Sequence, residues 1–173
     1  SNDVRKAEAD RLLRQGVEQG QASEFETALH SFQQALGIYQ EIKDHKGESA
    51  ALGGLGFIYF FMGDYPKAIE YHDRRLKIAQ QIKDRPGEGD ALSEIGNAYY
   101  SIGDYSKAIE YYKRHLKIAQ AIKDRRREGI SLDNLGLAYY RMGDYLKSIE
   151  YYEQSLKISQ EIKDRKMEAG LLG

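Results

Sequence analysis

The fold is decided by residues 85–124, RPGEGDALSEIGNAYYSIGDYSKAIEYYKRHLKIAQAIKD. Apolar residues recur there at intervals of three and four, the spacing of one face of an α-helix. The tripeptide Gly103-Asp104-Tyr105 interrupts this pattern half-way. Glycine suits the left-handed residue that ends a helix, and aspartate caps the helix that follows. The stretch therefore predicts a hairpin of two helices of about 17 residues each, and it carries no β-strand signal.

The hairpin recurs along the chain with a period of 40 residues. Residues 125–164 are identical to residues 85–124 at 23 of 40 positions, and two more diverged copies precede them. One hairpin cannot bury its own apolar face, whereas stacked hairpins share a continuous core. Residues 1–4 are expected to be a tag remnant or a disordered start. The remaining chain is expected to form a single array over residues 5–173, with repeats at about 5–44, 45–84, 85–124 and 125–164 and a partial helix over 165–173.

Each predicted first helix carries a glycine near its middle, although glycine costs about 1 kcal/mol relative to alanine in a helix. A glycine that recurs at this position predicts the close approach of a second helix. The recurring glycines are Gly16, Gly56, Gly96 and Gly136. The small residues expected to meet them are Ala28, Ala68, Ala108 and Ser148.

Composition disfavours several classes of function. The 173 residues include 26 Lys and Arg against 27 Asp and Glu, a formal net charge of −1. This balance argues against a nucleic-acid binder and against a polybasic membrane anchor. The longest uncharged run, Ser49–Gly63, is too short to span a bilayer. The absence of cysteine excludes disulfides and thiolate metal sites and fits a cytoplasmic location.

No catalytic or metal-binding pattern stands out, and we expect no enzyme activity, no cofactor and no metal. The histidines are not spaced as metal ligands. His72 takes the place of Tyr112 in the repeat and is expected to fill a core position with a polar tip. His115, which aligns with Ser155, is expected at an exposed or half-exposed position. The four histidines are His30, His45, His72 and His115.

These motifs resemble the tetratricopeptide repeat. The Leu, Leu-Gly and Tyr that the family places on its first helix match Leu132, Leu135-Gly136 and Tyr139, and the Ala and aromatic residue of its second helix match Ala108 and Tyr112. The unit here has 40 residues instead of 34, lacks the helix-ending proline and replaces the usual Trp with Leu. The 40-residue form is similar both to the repeats of the Pins/Leu-Gly-Asn adaptors and to the arrays of bacterial signalling proteins.

The resemblance implies a right-handed α-solenoid, a superhelix whose concave wall is built by the first helix of each hairpin. It also implies that the chain binds a protein or peptide and performs no chemistry. Because the Leu and Tyr stripe of each first helix faces its second helix, the offset stripe is left for the groove.

The second unit carries the strongest candidate site, because its first helix is uncharged from Ser49 to Gly63 and rich in phenylalanine. Phe57, Phe60 and Phe61 supply more apolar surface than one hairpin core needs, and Gly53 and Gly54 leave bare backbone beside them. We interpret this stripe as a pocket for large apolar side chains. The alternative is that the rings pack on neighbouring helices. For Phe57 and Phe60 the two interpretations are equally open. Phe61 is expected to face the groove, because its counterparts in the later units are Ser101 and Arg141.

The later units contribute polar candidates. The amides of Asn97 and Asn134 suit the recognition of an extended peptide backbone, or alternatively they join adjacent repeats. Asp133 and Arg141 lie two turns apart on one helix face, where they either contact a ligand or remain as isolated surface charges. The remaining peptide-binding candidates on the same stripe are Ser93, Tyr100 and Tyr140.

The sequence thus favours a scaffold that binds a peptide or short helix with apolar anchors in a concave groove. The alternative is a spacer or self-association module of a larger signalling protein. In that case Met167, Leu171 and Leu172 are expected to contribute to end-to-end contact.

Overall fold

The structure is a computed structural model that describes residues 1–170. Over this range the chain forms eight helices and no strand. The all-α fold of tandem helical hairpins predicted from the sequence is confirmed. In chain order the helices are α1 Asn2–Gln21, α2 Phe25–Glu41, α3 His45–Phe61, α4 Tyr65–Gln81, α5 Arg85–Ile102, α6 Tyr105–Ala121, α7 Arg125–Arg141 and α8 Tyr145–Glu168. Since α1 begins at Asn2, the start of the chain is helical instead of disordered.

The chain divides into two compact units, one comprising residues 1–91 and the other beginning at Leu92. In the first unit α1 packs on α2, α2 on α3, and α3 on α4. In the second unit α6 packs on α7, and α7 on α8. The middle helices α2 and α7 each contact the helix before and the helix after, as a stacked array of hairpins requires.

The turns inside the hairpins follow the prediction. Gly103 has a φ of +93°, the left-handed conformation that glycine adopts without penalty. Asp104 then accepts a hydrogen bond from the backbone N–H of Lys107 at 3.1 Å and caps α6. The turns at Gly63 and Gly143 have the same form.

In the turns between hairpins the left-handed residue is a lysine and not a glycine. Lys43, Lys83 and Lys123 all adopt a φ of 57° or 58°. A left-handed residue with a side chain costs about 1–2 kcal/mol, and the capping aspartate that follows each lysine offsets part of this cost. Asp124, for example, accepts a hydrogen bond from the backbone N–H of Arg127 at 3.0 Å. The sequence predicted the caps but gave no sign of the left-handed lysines.

The fourth unit departs from this pattern. The sequence predicts a turn at Lys163-Asp164 and a new helix from Arg165, but α8 continues without interruption to Glu168. After Lys43 and Lys123 the next helix packs back on the preceding one, α3 on α2 and α7 on α6.

The recurring glycines lie against aromatic rings, which confirms the predicted close approach. A Cβ atom at Gly96 would lie 2.6 Å from Cε1 of Tyr112, and one at Gly136 would lie 3.0 Å from the ring of Tyr152. The contact is made by the ring 16 residues further along, on the second helix of the same hairpin. Ala28, Ala68 and Ala108 are fully buried, as expected for small residues in this packing.

Of the 14 tyrosines, 11 make ring contacts inside the hairpins. In each of three hairpins a tyrosine of the first helix stacks on one of the second, with ring centroids 5.4–5.6 Å apart. A second ring contact joins the end of the first helix to the start of the second, as between Tyr100 and Tyr105 at 5.2 Å. Both members of each Tyr-Tyr pair in the first helices of the last two hairpins therefore serve packing. The stacked pairs are Tyr59–Tyr71, Tyr99–Tyr111 and Tyr139–Tyr151.

The two central histidines are both buried. His72 fills a core position, as predicted, with 1% of its surface exposed. His115 was expected at an exposed or half-exposed position, and this prediction is wrong. Its Nδ1 lies 3.1 Å from Oγ of Ser131, because α7 packs over this face of α6.

Candidate functional site

The first unit contains an open, largely apolar pocket of about 450 Å³ between α1 and α3. Helix α1 contributes one wall, helix α3 the opposite wall, and the start of α2 closes one end. We call it the α1–α3 pocket. It is lined by Gly16, Val17, Gly20, Gln21, Ser23, Phe25, Phe32, Gly54, Phe57, Ile58 and Phe61.

Glycine on both walls makes room for the ring of Phe32. A Cβ atom at Gly16 would lie 2.8 Å from Cε1 of Phe32, and one at Gly54 would lie 2.5 Å from the same atom. The Phe32 ring, which is almost fully buried, is therefore held between the backbones of α1 and α3. The Phe32 ring fills the room that the two glycines leave and forms part of the pocket lining.

Phe57 and Phe61 form the exposed part of the α3 wall. Phe61 exposes 64% of its surface and Phe57 39%, although both are large apolar side chains. The ring of Phe61 stacks parallel to that of Phe25, with centroids 6.5 Å apart. Val17, on the α1 wall, is also exposed. Exposed apolar side chains that gather around a concavity are typical of binding sites, whereas isolated ones are common on any surface.

The other two candidates of α3 lie beside the α1–α3 pocket and do not line it. Phe60 is half-buried and packs edge-on against Phe61 and Tyr65. Gly53 is buried, and a Cβ atom there would lie 3.3 Å from Nη1 of Arg75. Both residues therefore contact α4 and do not line the pocket.

A buried histidine underlies the α3 wall. The ring of Phe57 meets His72 edge-on, with centroids 5.5 Å apart. Burial, with Arg75 nearby, lowers the pKa of His72 to about 3, so that the ring is neutral at physiological pH. Within the described residues neither Nδ1 of His72 nor Nε of Arg75 has a hydrogen-bond partner. The imidazole behind Phe57 is thus neutral, and the charged Arg75 beside it is not among the residues that line the pocket.

In the second unit, the side chains of several candidates contact other residues of the same unit. Oδ1 of Asn97 accepts a hydrogen bond from the hydroxyl of Tyr112 at 2.7 Å, within one hairpin. The guanidinium of Arg141 lies over the rings of Tyr100 and Tyr105, at 5.8 and 5.4 Å from their centroids. These contacts orient Asn97 and Arg141 and use part of their capacity to bind a ligand.

The remaining candidates of the second unit differ in accessibility. Asp133 and Tyr140 are exposed, Asn134 is half-buried, and Ser93 is buried. Of the whole predicted set, the structure brings together Gly54, Phe57 and Phe61 in one pocket. Over residues 1–170, no group of three or more acidic or histidine side chains is arranged to hold a metal ion. No helix in that range combines the length and apolar character needed to cross a membrane.

Several pocket residues were not among the sequence candidates. Phe25 occupies the position of the tyrosine that follows the Gly-Asp turn in other units, so its role in the wall was hidden by a packing explanation. Gly20 has no counterpart in the period, and a Cβ atom there would lie 2.8 Å from Cδ1 of Ile58. One sequence signal for the α1 wall was Val17, because it occupies the position in α1 that Phe57 occupies in α3.

A family model described as Tetratricopeptide repeat matches residues 16–81, 47–121 and 87–161 in overlapping segments. Together the matches cover most of the chain. No curated protein matches it.

Solved structures with the same fold include two long proteins and one short domain. A signal transduction ATPase with numerous domains from Pyrococcus horikoshii, which has a tetratricopeptide repeat sensor, is 23% identical with a TM-score of 0.85, and the match covers 94% of this chain and 25% of that one. A Rap protein complexed with Competence and Sporulation Factor is 20% identical with a TM-score of 0.81, covering 92% and 45%. The TPR domain of Arabidopsis FLU is 32% identical with a TM-score of 0.64, covering 69% and 99%. The chain thus spans less than half of the two longer proteins.

Proposed function

The chain belongs to the tetratricopeptide repeat family, and we propose that it is a protein-interaction module whose α1–α3 pocket binds a large apolar side chain of a peptide or short helix. The observation that carries this proposal is the pocket itself, an uncharged concavity with Phe57 and Phe61 exposed on one wall. The Rap protein was solved in complex with Competence and Sporulation Factor, which supports the idea that this fold accepts a bound ligand.

The chemistry of the pocket favours an aromatic or branched aliphatic anchor. Its walls offer ring faces, methyl groups and bare backbone, and the neutral His72 behind Phe57 adds no charge. A charged side chain placed here would lose its hydration without gaining an ion pair. We therefore expect selection for Phe, Trp, Leu or Ile at the anchor position and rejection of Asp, Glu and Lys.

One anchor alone gives weak binding. Full burial of a Phe or Leu side chain contributes about 1.5–3 kcal/mol, whereas micromolar affinity requires about 8 kcal/mol. A ligand of useful affinity therefore needs a second anchor or backbone hydrogen bonds. We propose further that the chain performs no catalysis.

The proposal is tested by selecting ligands on the pocket. A library of random 12-residue peptides is selected on the wild-type chain, and the enriched peptides are tested by calorimetry against Phe57→Ala and Phe61→Glu. We expect enriched sequences to share one large apolar residue, and binding to fall at least tenfold in both variants because each removes or charges a pocket wall.

The matched control is Leu146→Glu, since Leu146 is an exposed apolar residue of α8 outside the pocket. It should bind the same peptides as the wild type. Because Phe57 contacts His72, circular dichroism must show unchanged helicity for Phe57→Ala. Selected peptides that bind all variants equally would refute the pocket as the site. Concentration-dependent sedimentation of the wild type without peptide binding would favour the self-association module instead.

A further inference from the structure

We infer that the anchor received by the α1–α3 pocket is a tryptophan, whose indole N–H is bound at one polar end of the pocket. The inference rests on the proposed function and names the side chain that the site selects. Of the described residues that line the pocket, two have polar side chains, Gln21 and Ser23. Both are exposed and lie where α1 ends. We call these two residues the polar end.

The side chains of the polar end are available to a ligand. Over residues 1–170 neither of them makes a hydrogen bond to another group of the chain. Polar side chains nearby are used differently, since Oγ of Ser31 donates a hydrogen bond to Oε1 of Gln19 at 2.6 Å. An apolar pocket with a few polar groups at one place is the usual form of a selective site, because the polar groups fix the orientation of the ligand.

Ser23 stands where the other hairpins have glycine. Its φ is 62°, in the left-handed region, and its counterparts Gly63, Gly103 and Gly143 have φ values of 80°, 93° and 82°. A side chain is unfavourable in this conformation, whereas glycine adopts it freely. The first hairpin also lacks the cap of the others, since Glu24 makes no side-chain cap hydrogen bond. Strain kept at a residue that lines a pocket points to a role of its side chain in binding.

The location of the polar end favours a ligand group that donates a hydrogen bond. The C-terminal end of a helix carries a partial negative charge, and the polar end lies at that end of α1. Oε1 of Gln21 and Oγ of Ser23 can both accept a hydrogen bond. A phenylalanine or leucine anchor would remove water from these groups without supplying a partner, which weakens binding. An anchor with an N–H group supplies that partner.

The size of the pocket favours an indole ring. A cavity of about 150 Å³ holds a benzene ring, whereas the α1–α3 pocket has about 450 Å³. A bicyclic ring therefore fits there, beside the rings of Phe25 and Phe61, which stack on each other. Tryptophan combines a large apolar ring with one N–H donor and carries no charge.

The test uses a library of 12-residue peptides in which a central position is fixed as tryptophan. The tightest binder of the wild-type chain is synthesised a second time with benzothienylalanine at that position, which keeps the size of the ring and replaces the N–H group with sulfur. Calorimetry gives the affinity of both peptides. We expect the tryptophan peptide to bind about three- to tenfold more tightly, the effect of one neutral hydrogen bond.

Fluorescence shows whether the anchor itself is buried. The chain contains no tryptophan, so the indole emission comes from the peptide alone. It should shift to shorter wavelength on binding, because the ring leaves water.

Two variants of the polar end make the test specific. Ser23→Gly removes the hydroxyl group and relieves the strain, and the double variant Ser23→Gly/Gln21→Leu removes both side-chain acceptors. The preference for tryptophan over benzothienylalanine should decrease in the first variant and disappear in the second. The benzothienylalanine peptide should still bind to both.

Lys43→Gly is the matched control. Lys43 is also left-handed, with a φ of 58°, but it does not line the pocket. Both glycine variants should raise the midpoint of thermal unfolding, since each relieves a strained residue. Only Ser23→Gly should change the preference for tryptophan.

Equal affinity of the two peptides for the wild-type chain would overturn the inference, as would a preference that the double variant retains. Tighter binding of the same peptide with tyrosine at the anchor would also overturn it and would assign the polar end to a phenol. If the tryptophan library yields no binder but the random library does, the inference fails and the proposed function stands. If neither library yields a binder, both fail.

Discussion

Single residues decide where rings fit in this protein, and Gly54 is the clearest case. The ring of Phe32 cannot move away from a side chain at position 54, because the backbone of α1 at Gly16 lies on the other side of the ring. We predict that Gly54→Ala lowers the free energy of unfolding by about 1–3 kcal/mol, the usual cost of overpacking a core. Urea denaturation measures the change.

Gly37 provides the control for this prediction. It also lies inside a helix, but a Cβ atom there would have nothing within 4 Å. Gly37→Ala should therefore raise stability by about 0.5–1 kcal/mol, because alanine is the better helix former. If both substitutions stabilise the chain, the described packing of Phe32 is incorrect.

His72 makes stability depend on pH. Its pKa is about 3 in the folded chain and about 6.5 when unfolded, so below pH 6.5 the unfolded state binds the additional proton. Stability contributed by the neutral ring is complete above pH 6.5 and is lost as the pH falls towards 3. We predict that the free energy of unfolding decreases by about 1 kcal/mol from this residue between pH 7 and 5.5.

The variant His72→Phe isolates this contribution, because Phe32 occupies the same position in the first hairpin. Its unfolding free energy, measured at both pH values, should decline less than that of the wild type by about the predicted amount. Equal declines would show that His72 is accessible to protons in the folded state.

At the scale of helices and turns, the Ile-Lys-Asp motif gives two different structures. Lys123 is left-handed between α6 and α7, whereas Lys163 lies inside α8. We predict that Lys123→Gly raises the midpoint of thermal unfolding, because glycine relieves about 1 kcal/mol of strain. Lys163→Gly should lower it or leave it unchanged, because glycine weakens a helix interior. A rise in both variants would mean that α8 ends before Lys163.

The same motif shows how far sequence reasoning reaches. The 40-residue period and the Gly-Asp turns suffice for the hairpins, their bounds and their caps, because these depend on local pattern. The burial of His115 depends instead on the packing of α7 over α6, which a periodic pattern does not encode. For the candidate site, Phe57 and Phe61 followed from the uncharged run Ser49–Gly63. Phe25 and Gly20 did not, since they reach the pocket only through the packing of α1 and α2 on α3.

At the scale of the whole molecule, the account predicts that only changes in the α1–α3 pocket remove binding of the selected peptides. Phe61→Glu should abolish this binding, whereas Leu146→Glu should leave it intact. Calorimetry with the selected peptides on each variant checks this, and loss of binding in both variants would indicate a general loss of structure.

The central claim, that the α1–α3 pocket receives an apolar anchor, is tested most directly by intermolecular NOEs. The chain is labelled at its valine and isoleucine methyl groups and saturated with a selected peptide. We predict NOEs from the anchor side chain to the methyl groups of Val17 and Ile58, on opposite walls of the pocket. NOEs that reach only methyl groups elsewhere, such as those of Val4 or Ile149, would contradict the account.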